Sequence, residues 1–233
     1  PKKDISEVFE KISKSEDINN ALYYIQMEKA KLCKNNERRS DRYAIPSIVE
    51  KVIEDTKLWS KYGDEQELTF YRRFASIMDV LFKGSEIILS DGETACQSPR
   101  IAIEANKCIF AGEDTSPTYS RKIDLLLKYD EKKAIDLCSN EWKKSKVTND
   151  LKIKQQSKNM RVNASIINNL QGTYGGSHSV LALDVIGLNG YMYKLTKADN
   201  YFIATSFRTI IIPRCFSGFN HFEDVLVSLF YFK

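Results

Sequence analysis

The chain has 233 residues, 42% hydrophobic and 28% charged, with a formal net charge of +4. This is ordinary globular composition with room for a substantial core, and it excludes the extreme basicity of a histone-like tail while permitting a polyanionic partner. Five scattered cysteines, with no C-x-x-C pair, and only two histidines argue against a zinc site and fit a reducing, intracellular compartment, nuclear or cytoplasmic.

No signal peptide and no apolar run long enough to span a membrane is present. The chain starts at Pro1 without methionine and stops inside an amphipathic pattern, "LVSLFYFK", so an excised domain of a longer protein is expected.

Residues 1–63 read as a helical segment. "ISEVFEKIS" and "NNALYYIQMEKAKLC" space apolar residues three and four apart, and Ser15 or Asp17 can cap the second. "NNERRSDR" (35–42) reads as a polar connector. "IPSIVEKVIEDTKLWSKYG" reads as a helix with proline near its first turn and Gly63 as its stop. The clearest helix is "DEQELTFYRRFASIMDVLFKG" (64–84), where Phe70, Phe74, Ile77, Met78 and Leu81 form one stripe. Glu67 extends that stripe by a turn, as a functional acid or as an acid suited to a solvated helix N-terminus.

From residue 85 the texture turns to short β-rich runs: "SEIILS", "IAIEANKCIF", "RKIDLLLKYD", "KAIDLCSNEWK", "VLALDVIGL", "YMYKL", "YFIATSF" and "TIIIPR". "LNGY" (188–191) is a hairpin signal. A long helix is predicted over 149–172, capped by Asn149 or Asp150 and ended by Gly172, and "HFEDVLVSLFYF" closes as a helix. "TYGGSHS" is a loop and no P-loop, and His178 within it is a weak candidate for reaching a substrate. The order predicts a mixed α+β, α/β-type fold with a helix lying on one face of a central sheet.

The hairpin 121–144 carries charges inside its strands. Residues two apart share a face, so Ser139, Glu141 and Lys143 line one side of the second strand and Trp142 belongs to the opposite, core side. A turn centred near Glu131 pairs Asp124 with Cys138, and a modest shift or bulge brings its carboxylate beside Glu141. Two carboxylates held close repel, and a hard divalent cation relieves both that repulsion and their desolvation. A structural salt-bridge cluster on a solvated face is the bland reading of the same residues. Glu131-Lys132-Lys133 repeats the E-x-K spacing but falls in the turn, with no apolar strand before it.

Asp124 followed by Glu141-Trp142-Lys143 resembles the D…E-x-K signature of the PD-(D/E)XK nuclease superfamily, over roughly residues 65–186. The proline that often precedes the first acid is absent here, since Ile123 stands there. The resemblance implies a restriction-endonuclease-like α-β-β-β-α-β core in a domain spanning 64–233, with residues 1–63 as an N-terminal helical extension. The helix 64–83 would open that core, and "IAIEANKCIF", 121–129 and 134–143 would be its three strands. It implies Mg²⁺ or Mn²⁺ held by Asp124 and Glu141, with Lys143 assisting the attacking water. Glu67 is the implied further metal ligand, with Glu93 as runner-up. The helix after E-x-K often offers a polar residue to the site; Gln156 is that candidate, sharing a face with Ile153, Met160 and Ile167, and Gln155 takes its place if the helix is rotated.

Seven cations face two acids between Glu141 and Arg161, an excess larger than that of the whole chain. Lys144, Lys146, Lys154, Lys158 and Arg161, with Lys122 and Gln155, are therefore candidate nucleic-acid contacts; an ordinary solvated helix face is the alternative. The expected activity is metal-dependent hydrolysis of DNA or RNA. A catalytically inert nuclease-like module that binds nucleic acid or protein is the second expectation, and a helical interaction module at 1–60 the third.

Overall fold

The structure is a computed structural model that describes residues 1–60, 66–108, 120–129, 135–176 and 179–233, apart from the side chains of Gly92, Glu93 and Arg121. Glu93, His178 and the Glu131-Lys132-Lys133 triplet therefore lie outside what is described. The chain divides into two compact units, one of residues 1–85, 187–189 and 209–233, the other of residues 86–186 and 190–208.

The first unit is helical, with α1 (Lys2–Ser13), α2 (Ile18–Lys34), α3 (Asp41–Glu54), α4 (Thr56–Ser60), α5 (Glu67–Leu81) and α8 (Phe222–Phe232). It is larger than the 1–63 segment suggested by composition, since it takes in α5 and α8. Asp17 caps α2 by accepting the Asn20 amide, which satisfies an otherwise orphaned donor. Ser40 caps α3 the same way through Tyr43. That cap starts α3 at Asp41, inside the expected connector, and leaves Pro46 within the helix rather than at its entry. The core joins Ile5, Phe9, Ile45, Ile48, Phe222 and Leu229, all buried. Phe9 stacks on Phe219 at 5.6 Å between ring centroids.

The second unit carries the sheet, apart from the first residue of β5 and the last three of β6: β1 (Ile87–Cys96), α6 (Ser98–Asn106), β2 (Arg121–Tyr129), β3 (Ile135–Lys143), α7 (Asn149–Tyr174), β4 (Ser179–Ile186), β5 (Asn189–Ala198) and β6 (Tyr201–Ile211). The six strands lie in chain order across one sheet. β1–β2 and β2–β3 are antiparallel, while β3 and β4 are parallel. A parallel pair needs a crossover, and α7 supplies it, packing on β3 and β4 with α6 against its side. The mixed sheet flanked by helices is the expected fold class.

Three local expectations are corrected. "IAIEANKCIF", expected as a strand, is largely helix α6. Its start is set by tertiary structure: Asp136 Oδ2 accepts from the Gln97 and Ser98 amides at 3.2 and 3.4 Å, and from the Ser98 hydroxyl at 3.2 Å. The acid thus serves the orphan donors and the positive end of the helix, with Pro99 in its first turn. Second, α7 is capped by Thr148 and runs past Gly172 to Tyr174. Third, the β4–β5 turn lies at Gly187-Leu188, because Gly187 takes the positive φ of 61° and Asn189 already opens β5.

Candidate active site

The β2–β3 ladder runs Leu125 opposite Asn140, Leu126 opposite Ser139 and Leu127 opposite Cys138, then shifts between Leu127 and Lys128, whose partner is Asp136. Leu137 is the extra residue of a bulge. The paired residues end at Leu125 and Asn140, and Asp124 and Glu141 are the next residues on the two strands, close enough for the Asp124 charge to act on the Glu141 carboxyl. The direct pairing of Asp124 with Cys138 is thus replaced by the bulged alternative. The Trp142 amide donates to Asp124 Oδ2 at 2.7 Å, which fixes the carboxylate at the end of the ladder. Trp142 itself is fully buried.

Glu141 is only 2% exposed. Across the parallel ladder it stands opposite Asp184 of β4, so the two side chains share a face. Burial pushes its carboxyl up to about 7; the Lys158 ammonium pulls it back, the neighbouring Asp124 charge adds to the rise, and Lys143 opposes it. Lys158 reaches in from α7, its Nζ 2.7 Å from Glu141 Oε1, and also donates to the Lys122 carbonyl at 2.9 Å. Lys143 is half-buried and donates to the Trp142 carbonyl at 2.7 Å. Asp124 and Lys143 are thus near enough to Glu141 for their charges to act on its carboxyl, and Lys158 is a second cation beside it. Glu67 opens α5 in the helical unit.

The stripe of α7 that faces the sheet is Gln155, Asn159, Val162, Asn163, Ile166 and Ile167. Gln156 is exposed and Ile153 is 61% exposed, so the inward position expected for Gln156 belongs to Gln155, which accordingly is no surface contact. The physical reason is that the sheet is polar where the N-terminal half of α7 packs on it, so its partners there are Asn159 and Asn163 rather than Ile153 and Met160, while Ile167 is buried as expected. Ser139 offers its hydroxyl to Asn159 Oδ1. Asn163 bridges the Ser139 backbone, accepting from its N–H at 2.8 Å and donating to its carbonyl at 3.0 Å. Asn159 donates to the Leu183 carbonyl at 3.1 Å and to Asp184 Oδ1 at 3.0 Å.

Asp184 is buried, and burial raises its carboxyl to about 6 against the pull of the Asn159 and Gln155 amides. Its Oδ2 has no hydrogen-bond partner, and neither amide atom of Gln155 has one of full geometry. Asp184 is not among the residues expected at the site, although "VLALDVIGL" carries the same signal as the Asp124 strand, one acid within an apolar run. Asn159, Asn163 and Ser139 gave no comparable signal. Lys122, Lys144, Lys146, Lys154 and Arg161 are exposed on the surface of this unit.

Among the described residues no group of three or more His, Cys, Asp or Glu is arranged to hold a metal ion. Mg²⁺ asks for less, taking one or two protein carboxylates and completing its shell with water and substrate phosphate. Asp124 and Glu141 would be the two carboxylates for such an ion, and the buried Asp184 Oδ2 and Gln155 amide are polar atoms left without a hydrogen-bond partner of full geometry. Among the described residues no helix is long and apolar enough to cross a membrane. No family model matches the chain, and no curated protein or solved structure is significantly similar to it.

Proposed function

We propose that the chain is a metal-dependent nuclease of the PD-(D/E)XK type, hydrolysing phosphodiester bonds of DNA or RNA with Mg²⁺ or Mn²⁺. The observation that carries this reading is the adjacency of Asp124 and Glu141 at the end of the β2–β3 ladder, with lysine ammonium groups beside them. The order of elements supports it: an antiparallel meander of three strands, a crossover helix, and a fourth strand parallel to the third. The core of that superfamily has this order; α6, between the first two strands, would be an addition to it.

Asp124 and Glu141 would hold the cation, which when bound polarises the phosphodiester and lowers the pKa of a water. The remaining steps belong to side chains. The Trp142 amide keeps Asp124 turned toward Glu141. Burial of Glu141 keeps bulk water from competing for its oxygens. Lys158 Nζ is the charge that Glu141 holds in the free protein, and its long stem lets it turn to a substrate phosphate oxygen. Lys143 Nζ, anchored on the Trp142 carbonyl, would donate to the attacking water or to the developing phosphorane charge. Gln155 would bond the water on the α7 side.

Incubating single- and double-stranded substrates with Mg²⁺, with Mn²⁺ and with EDTA tests the reading. Metal-dependent cleavage that disappears in Asp124→Asn and Lys143→Ala supports it; binding without any such cleavage overturns it. One observation favours an inert nuclease-like binding module instead. The Lys158 ammonium already neutralises Glu141 at 2.7 Å, as a structural ion pair would. Unchanged thermal stability on adding either metal, together with binding of nucleic acid, is the outcome that module predicts.

A further inference from the structure

A groove of about 340 Å³ runs between α6 and α7, at the small end of the roughly 300 to 1,000 Å³ typical of ligand pockets. Among the described residues its walls are largely apolar, with Pro99, Ala102 and Ile103 from α6 and Val162 and Ala164 of α7, and Asn106 and Ser165 add two neutral polar groups. Two cations stand on its α7 side, Lys158 and Arg161. Arg161 is exposed and has no carboxylate partner among the described residues. Lys158 joins the groove to the site directly, since the same ammonium contacts Glu141 Oε1. An apolar trough ending in an unpaired guanidinium fits a ligand with one apolar face and one anionic group.

We propose that this groove seats one nucleotide of a single-stranded nucleic acid, the one next to the bond opened at Asp124 and Glu141, with Arg161 holding its outer phosphate. The proposal rests on the nuclease reading of that site. Lys158 and Arg161 are three residues apart on α7, about 4.5 Å of helical rise. With two long side chains, that separation suits successive phosphates of one strand. The apolar walls select a single strand over a duplex. In a duplex the base faces are stacked away and only their edges are exposed, whereas a free strand offers a whole base or sugar face. Among the described residues no aromatic ring lines the groove, so the contact they offer is apolar packing rather than stacking, and it tolerates any base.

The test is fluorescence anisotropy in EDTA, so that binding is read without cleavage, with labelled oligothymidylate and oligouridylate against a duplex of mixed sequence. Arg161→Ala should weaken strand binding about tenfold and flatten its salt dependence. Two separate groove-filling variants, Ala102→Trp and Ala164→Phe, each checked for native circular dichroism, should weaken strand binding at least as much while leaving duplex binding unchanged. Strand affinity unaltered in the folded filled variants, or no strand binding by the wild-type chain, overturns the proposal. Groove-dependent strand binding with no cleavage in Mg²⁺ or Mn²⁺ sinks the nuclease reading and leaves the groove standing.

Discussion

Lys158 Nζ and Glu141 Oε1 are 2.7 Å apart, one from helix α7 and the other from strand β3, and this is the charge contact that ties the helix to the acid end of the hairpin. The carboxylate is buried, whereas the lysine side chain is 38% exposed. Lysine pulls the glutamate toward its ionised form against the burial that raises it to about 7. Replacing Lys158 by methionine should therefore raise the Glu141 carboxyl further. Carboxyl-region ¹³C NMR titration of the metal-free protein, compared with Glu141→Gln to assign the signal, reads this. A signal that titrates unchanged in the Lys158→Met chain would remove Lys158 from the site. The stability loss should be modest, on the order of 1 kcal/mol, because the ammonium is partly solvated and the acid can protonate instead.

The same burial gives stability a sign against pH. The folded chain holds a proton on Glu141 up to about 7, while the unfolded chain gives it up near 4.5. Below about 4.5 both states are protonated and the contribution is fully present; it is lost as pH rises toward 7, because only the folded state then still carries the proton. Asp184 acts in the same direction between 3.8 and about 6. The metal-free protein should thus lose on the order of 3 kcal/mol from Glu141 across its window, at most. Urea denaturation at a series of pH values should show this decline, and Glu141→Gln should flatten it over the upper part of the range. A wild-type profile that rises through pH 5 to 7 would contradict it.

The hairpin was legible because its information is local. Apolar alternation set the two strands, and the charges at Asp124, Glu141 and Lys143 that broke the pattern pointed to the candidate site. α6 was not legible for the opposite reason. Its starting cap is Asp136, 38 residues further along than Ser98, and "IAIE" read alone alternates like a strand. α7 was legible as a helix but not in its rotation. Asn159 and Asn163 face inward, so orienting the helix by Ile153 and Met160 turned it by one residue and exchanged Gln155 for Gln156. Asp184 had a readable signal, an acid in an apolar strand, but its neighbour across the ladder becomes visible only with the β3–β4 register.

Asn163 holds both backbone groups of Ser139 and also donates to the Tyr193 hydroxyl at 3.2 Å, all of it buried. Removing its amide strands a donor and an acceptor away from water, each costing about 1–3 kcal/mol. Asn163→Ala should destabilise the fold by roughly 2–4 kcal/mol in urea denaturation, with the Tyr193 hydroxyl losing a partner as well. A surface control, Asn168→Ala on the exposed side of α7, should shift the midpoint by less than about 0.5 kcal/mol. Equal midpoints for the two variants would show that the Ser139 bridge does not order this part of β3.

Gln155 and Gln156 separate function from stability. The Gln155 amide is buried, yet neither of its polar atoms has a hydrogen bond of full geometry, so it contributes little to folding. Gln155→Leu, close in volume and without polar atoms, should leave the denaturation midpoint within about 1 kcal/mol of the wild type or raise it. If that amide serves water or substrate at the Glu141 site, the same change should lower the metal-dependent cleavage rate about tenfold or more, the scale of losing an orienting group. Gln156→Leu, on the solvent side, should alter neither quantity. Single-turnover cleavage alongside urea denaturation distinguishes the cases: a rate loss in Gln156→Leu but not in Gln155→Leu would reverse the orientation of α7 argued from its buried stripe. A large stability loss in Gln155→Leu would make that amide part of the core network and remove it from the site.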